Sequence, residues 1–204
     1  MSPESADGRT ARRERNRLAA LDATFELFAE GTALPSIDEV AARSGVSLRS
    51  MYRYFSDTHE MHLLALARRT QVADPLYELA RVGEGTLEER VERVVDQRLR
   101  LYGDMGPAIR MALAIAPTLP AIRDQVEVRK RQLFDQLQSQ FAAEVERCPG
   151  ETGRCLLRCV DVLCQFESLD RLIVEGRLSH RQARDTLRCG LSALLSAAPG
   201  TATN

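Results

Sequence analysis

The chain has 204 residues, with 28 Lys and Arg against 29 Asp and Glu and a formal net charge of −1. A total so near zero excludes a global field drawing the whole molecule to nucleic acid or an anionic membrane, so any such attraction must come from local clustering. The length permits one large domain or a small domain joined to a larger one.

Local clustering is present from the start. Arg9, Arg12, Arg13, Arg15 and Arg17 crowd the N-terminus with only Glu14 among them. Residues 18–40 then carry Asp22, Glu26, Glu30, Asp38 and Glu39 and no base. Basic charge returns at Arg43, Arg49 and Arg53, and no carboxylate occurs from Arg43 through Ser56. The opening MSPESADGRT has no apolar core and does not read as a secretory signal. No apolar run approaches the roughly 18–20 residues of a membrane span. Five cysteines, an odd number, are expected as free thiols in a cytoplasmic protein without membrane association.

In chain order nearly every segment has helical periodicity. Residues 1–16 are expected to form a flexible basic arm. Leu18, Leu21, Phe25 and Phe28 make the apolar stripe of a first helix, which Gly31 ends in the position glycine favours. Ser36-Ile-Asp-Glu39 is a capping box opening a second helix, with Ile37, Val40 and Ala41 as its buried face. Ser44-Gly45 breaks it, Ser47 caps a third helix to about Phe55, and Asp57 caps a fourth to about Ala73. Thr86-Leu-Glu-Glu89 opens a helix to about Tyr102; Gly103 to Gly106 predicts a break, with Pro107 starting the next helix. A long helix follows from about Ala121 to Arg147, another spans Glu151 to Glu175, and Ser179-His-Arg-Gln182 caps the last, to about Ala197. Residues 198–204 are expected as a disordered tail.

Two short helices joined by a glycine-containing turn form a helix-turn-helix unit, whose second helix can lie in a DNA major groove. With Met51 facing the core, Phe55 lies about 40° away, Leu48 about 60°, Arg49 about 160° and Arg53 about 200°. Arg49, Arg53, Tyr52 and Ser50 thus form an outward stripe able to donate to guanine edges and phosphates. On the residues alone, an ordinary solvated helix face fits this pattern equally well. Ser36 is likewise a helix cap first, and Tyr54 and Phe55 can be core aromatics.

ALDATFELFAEG, then SIDEVAARSGVSLRSMYRYFSD, then a helix, resembles the N-terminal domain of TetR-type transcriptional regulators over about residues 17–64. The resemblance implies an all-α protein: a three-helix helix-turn-helix DNA-binding domain at 17–62, and a larger helical effector-binding and dimerisation domain at 63–197. It implies phosphate contacts from Ser36 and the second helix, base reading by Ser47, Leu48, Arg49 and Ser50, and backbone contacts from Tyr52 and Tyr54. Arg53 joins them from the outward stripe. Two positions depart from the family pattern. The usual Gly-Thr-Leu is Arg49-Ser50-Met51, which adds a reader, and the usual lysine at the start of the fourth helix is Thr58, which keeps a neutral donor there. The basic arm is read either as tracking DNA or as a charged tail.

In the larger region, Leu156, Val160, Leu163, Leu169, Leu187, Leu191 and Leu194 mark stripes on two C-terminal helices. They suit a monomer core, or, as the resemblance implies, a four-helix dimer interface. Apolar residues spread around 151–175 predict a helix buried on more than one side. Tyr102, Met105, Met111, Phe134, Phe141 and Phe166 suit plain core or an effector cavity, with Arg98, Gln165 or Glu167 orienting a polar end.

Catalytic and metal signatures are missing from the sequence. Cys155 and Cys159 share a helix face with Cys164 about 180° away, and no histidine accompanies them for zinc. His59-Glu-Met-His62 has its histidines three apart and is expected on an exposed helix start. No phosphate loop or nucleophile motif is present. No cofactor and no metal are expected. The reading is a homodimeric repressor on a palindromic operator, released by an unidentified small molecule. The alternatives are a DNA-binding regulator tuned by cysteine oxidation without an effector, and an enzyme on a helical scaffold.

Overall fold

The computed structural model describes residues 4–32, 34–70, 74–148 and 150–197. Among them every regular element is helical: α1 Glu4–Ala29, α2 Ile37–Ser44, α3 Leu48–Tyr54, α4 Thr58–Thr70, α5 Leu87–Ile115, α6 Pro120–Gln140, α7 Ala142–Glu146, α8 Glu151–Cys164, α9 Phe166–Asp170 and α10 His180–Ser196. A 3-10 turn, Asp74–Tyr77, follows α4, and a wide π-type turn, Arg171–Glu175, follows α9. No described helix is long and apolar enough to cross a membrane.

The chain divides into two compact units, Met1–Ala73 with Pro107–Arg123 and Asp74–Gly106 with Asp124–Asn204. This differs from the division at 62/63 expected from sequence, because α4 and the stretch after Pro107 belong with the helix-turn-helix unit.

In the first unit α1 packs on α2 and α4, and α2 on α3. Ala20, Leu21, Val40, Met51, Phe55 and Met61 are buried there. α1 ends as its sequence dictates. Gly31 takes φ 102°, its N–H donates to Phe28 O, and Thr32 N–H donates to Leu27 O; the left-handed residue satisfies carbonyls left open by the last turn. The basic segment expected as a separate arm instead continues α1 from Glu4. Its stretch from Ala11 to Arg15, ARRER, consists of Arg, Glu and Ala, which are strong helix formers. The C-terminal tail at 198–204 and the end of the fourth helix at 71–73 lie outside the described residues.

In the second unit Val91, Val94, Val95, Tyr102, Leu137, Phe141, Val160, Leu187 and Leu191 form one core. Both remaining capping boxes form, at Thr86/Glu89 and Ser179/Gln182. Two expected boundaries do not. α5 passes through Pro107 without a break. Proline costs about 3 kcal/mol in a helix interior, but Leu101, Tyr102, Met105, Ala108 and Met111 are all buried on this helix, at roughly 1.5–3 kcal/mol for a large apolar side chain. Burial outweighs the proline.

The other two long helices are each interrupted. After α6, Phe141 leaves helical geometry, and the Gln140 carbonyl accepts from Arg90 Nη1 at 2.9 Å. After α8, Gln165 adopts an extended backbone, while Val162 O accepts from the Ser168 hydroxyl. The break changes which residues face inward: Leu169 is buried, but Val162 and Val174 are exposed. The segment is therefore not the helix buried on several sides that its composition predicts.

Candidate nucleic-acid interface

The turn between α2 and α3 is fixed locally. Ser36 caps α2, accepting from Glu39 N, while the Glu39 carboxylate accepts from Ser36 N at 2.8 Å. These bonds, led by the Ser36 side chain, hold the Glu39 carboxyl below its usual range. Gly45 ends α2 at φ 69°, where a side chain would be strained. Ser47 caps α3 by accepting from Ser50 N. Met51 and Phe55 anchor α3 in the core.

The opposite side of α3 is open. Tyr52 is 62% exposed and Leu48 43%, one turn apart, with exposed Arg49 and Arg53 beside them. The angular count had put Leu48 nearer the core; at the first position of a seven-residue helix it clears the packing instead. Among the described residues neither Arg49 nor Arg53 enters an ion pair, and Arg53 lies 5.4 Å from the Tyr54 ring centroid. Arg43 differs. Its guanidinium bridges to Glu30 at 2.5 Å and Glu26 at 3.7 Å, and the Glu30 bond holds that carboxyl below its usual range. Of the three arginines around the turn, one joins α2 to α1 and two face solvent.

Tyr54 is buried, edge-on to Phe55, so its ring is a core element. Ser36, Ser50 and Thr58 are half-buried and Ser47 exposed. Thr58 begins α4, where Asp57 Oδ1 accepts from Glu60 N at 2.8 Å and Glu60 accepts from Ser56 N at 2.6 Å. Arg68 reaches Asp22 at 2.9 Å, linking α4 to α1. His62 is not on an exposed helix start as expected. It is buried, with Nε2 2.8 Å from Pro35 O, and burial pushes its pKa down. The ring thereby ties α4 to the loop before α2. Spacing had offered no signal for it.

This surface is a short convex helix with cations, a phenol and an apolar side chain, free of carboxylates, on a buttressed core. Such a set can pair with guanine edges, phosphates and thymine methyls. Residues 20–65 match the family model described as bacterial regulatory proteins, tetR family. Residues 20–65 are thus a TetR-type domain of bacterial regulatory proteins. Solved structures share the fold over nearly the whole chain. A TetR-family regulator from Streptomyces coelicolor is 22% identical, covers 91% of this chain and 82% of its own, and has a TM-score of 0.63. A putative TetR-family regulator from Mesorhizobium loti is 16% identical, with 91% and 97% covered and a TM-score of 0.58. One from Marinobacter aquaeolei is also 16% identical, with 94% and 99% covered and a TM-score of 0.58. No curated protein matches the sequence.

Beyond this domain the residues expected to bind an effector separate into groups. Tyr102 stacks on Phe166 at 5.2 Å and donates to Asp170 at 2.9 Å. Arg98 lies one turn before Tyr102 on α5, bonded to Gln97, to Gln136 and to Leu133 O at 3.0 Å. Phe134 packs partly buried against the second core. Met105 is buried in the second unit, whereas Met111 is buried in the first. Gln165 is half-buried and donates to Asp161. Glu167 is exposed and paired with Lys130 at 3.0 Å.

Of the expected dimer stripe, Val160, Leu169, Leu187 and Leu191 are buried within one protomer, and Leu156, Leu163 and Leu194 are partly buried. Helical period identifies a stripe but not what it faces. Cys155, Cys159 and Val162 are exposed on α8, and Cys189 and Ala193 on α10. Cys164 is buried, and desolvation pushes its thiol up to about 12. Among the described residues no group of three or more potential ligands could hold a metal ion.

Proposed function

We propose that this protein is a repressor that binds a palindromic operator as a homodimer and is released by a small molecule. The observation that carries the DNA half is the outward face of α3, where Leu48, Arg49, Tyr52 and Arg53 are exposed and the two arginines are unpaired among the described residues. Arg49 reads a base edge with Ser47, Leu48 and Ser50 beside it; Tyr52 and Arg53 hold phosphates, with Ser36 and Thr58 supplying neutral donors. A two-fold dimer places two such helices in successive major grooves about 34–36 Å apart and doubles the sequence read.

The dimer forms on the outward sides of α8 and α10. Gly190 lets the two helices pack closely within the protomer, since a Cβ there would sit 3.3 Å from Leu163 Cδ1. Their outer faces are small or weakly polar at Cys155, Cys159, Cys189 and Ala193. Release follows from linkage: an effector that prefers a conformer with misplaced heads weakens operator binding by its differential affinity. Footprinting on DNA flanking the protein's own gene, repeated with candidate effectors, tests this. A protected palindrome that is lost with one compound is expected; protection without two-fold symmetry contradicts the dimer.

A second reading, tuning by oxidation, is favoured by the three exposed thiols. The high pKa of buried Cys164 leaves it little thiolate, so oxidation would act at Cys155, Cys159 or Cys189. Operator binding before and after peroxide, with each of these changed to serine, separates the two readings.

A further inference from the structure

Arg98 poses a charge problem that its neighbour Arg90 does not. Both are buried on α5, two turns apart. Arg90 meets the Glu144 carboxylate with both terminal nitrogens, at 2.7 and 2.8 Å, and a third bond goes to Gln140 O. Arg98, only 3% exposed, forms no ion pair among the described residues. Its acceptors are neutral: Gln97 Oε1, Gln136 Oε1 and Leu133 O. Its Nε, like that of Arg90, has no hydrogen-bond partner. The Cys164 thiol is beside it, and Asp161, held by Gln165, acts on it only at longer range. A guanidinium does not shed its proton in proteins, so this is a cation enclosed among dipoles, an arrangement that costs several kcal/mol unless an anion completes it.

Gln136 leads from this cation to the surface. Its amide oxygen accepts from Arg98 and Gln97, and its amide nitrogen donates to Tyr77 O. The same residue lines a groove of about 460 Å³ shared with Val82, Val128, Arg131 and Asp135. Gln136 is thus common to the groove and to the Arg98 cluster. Val82 and Val128 together with the Arg131 cation suit a small organic acid, while Asp135 opposes a multiply charged anion.

We propose that the groove admits a small organic carboxylate, whose oxygens displace the Gln136 amide and accept from Arg98 Nη1 in its place. An ionised carboxylate accepts from a guanidinium more strongly than the neutral amide oxygen it replaces. The inference rests on the effector reading and names its ligand class.

Thermal denaturation of the full chain with benzoate, octanoate, benzamide and inorganic phosphate tests it. Saturating benzoate or octanoate is expected to raise Tm by about 5 °C, with benzamide and phosphate producing no shift. Arg98→Gln abolishes the carboxylate shift. Gln136→Ala removes the competing acceptor and tightens carboxylate binding about three- to tenfold, which keeps the idea falsifiable if the Arg98 variant does not fold. Equal shifts from benzoate and benzamide, or no carboxylate response in either the natural chain or the Gln136 variant, overturns the proposal. Operator release is measured alongside. Carboxylate binding that leaves operator affinity unchanged would refute the effector reading but keep the site; release by neutral compounds alone would do the reverse.

Discussion

Arg49 and Arg53 project from α3 into solvent, unpaired among the described residues, whereas Arg90 and Arg98 are almost wholly enclosed on α5. The first pair costs nothing to leave open, because water solvates a surface guanidinium, and is available to a polyanion. The second pair must be answered inside the protein, and only Arg90 is answered by a carboxylate. Residue type therefore says little about role here. What separates a reading residue from a structural one is burial together with the nearest acceptor.

The buried member should give the largest effect. Glu144→Ala strands the Arg90 charge and is expected to cost about 3–5 kcal/mol, seen as a lower urea midpoint at constant slope. Arg49→Ala should leave that midpoint unmoved, yet cost roughly 1–3 kcal/mol in operator binding and relax base preference at one position of each half-site. Cap serines refine the contrast. Ser36→Ala and Ser179→Ala each remove a capping box and should each cost about 1 kcal/mol of stability, but only Ser36→Ala should also weaken DNA binding.

The smallest effect concerns pH. Burial lowers the His62 pKa from 6.5, so the unfolded state takes up its proton first as pH falls. His62 thus supports stability above about pH 6.5, and that contribution is lost as pH drops from there towards the lowered folded value. His62→Gln should flatten this part of the stability–pH curve.

Much of the first unit was legible because its signals are local. Ser36 with Glu39, Gly45 at the turn and Met51 with Phe55 each act within a few residues, and all appear where the sequence put them. The same holds for the capping boxes at Thr86 and Ser179. What was not legible depends on distant partners. Pro107 stays inside α5 because its neighbours are buried, and Gln140 gives its carbonyl to Arg90, fifty positions away. The stripe of Val160, Leu187 and Leu191 was plain, but whether it faces the protomer's own core or a second copy is not written in a 3.6-residue period. The burial of His62 is illegible for the same reason, since its partner Pro35 is 27 positions away.

The most direct test of DNA reading by α3 is operator affinity measured against a panel of single base-pair substitutions, for the natural chain and for Arg49→Ala and Tyr52→Phe. Arg49→Ala should erase discrimination at one base pair per half-site, while Tyr52→Phe weakens every sequence alike. Uniform loss from Arg49→Ala, or undiminished binding by both variants, would contradict it.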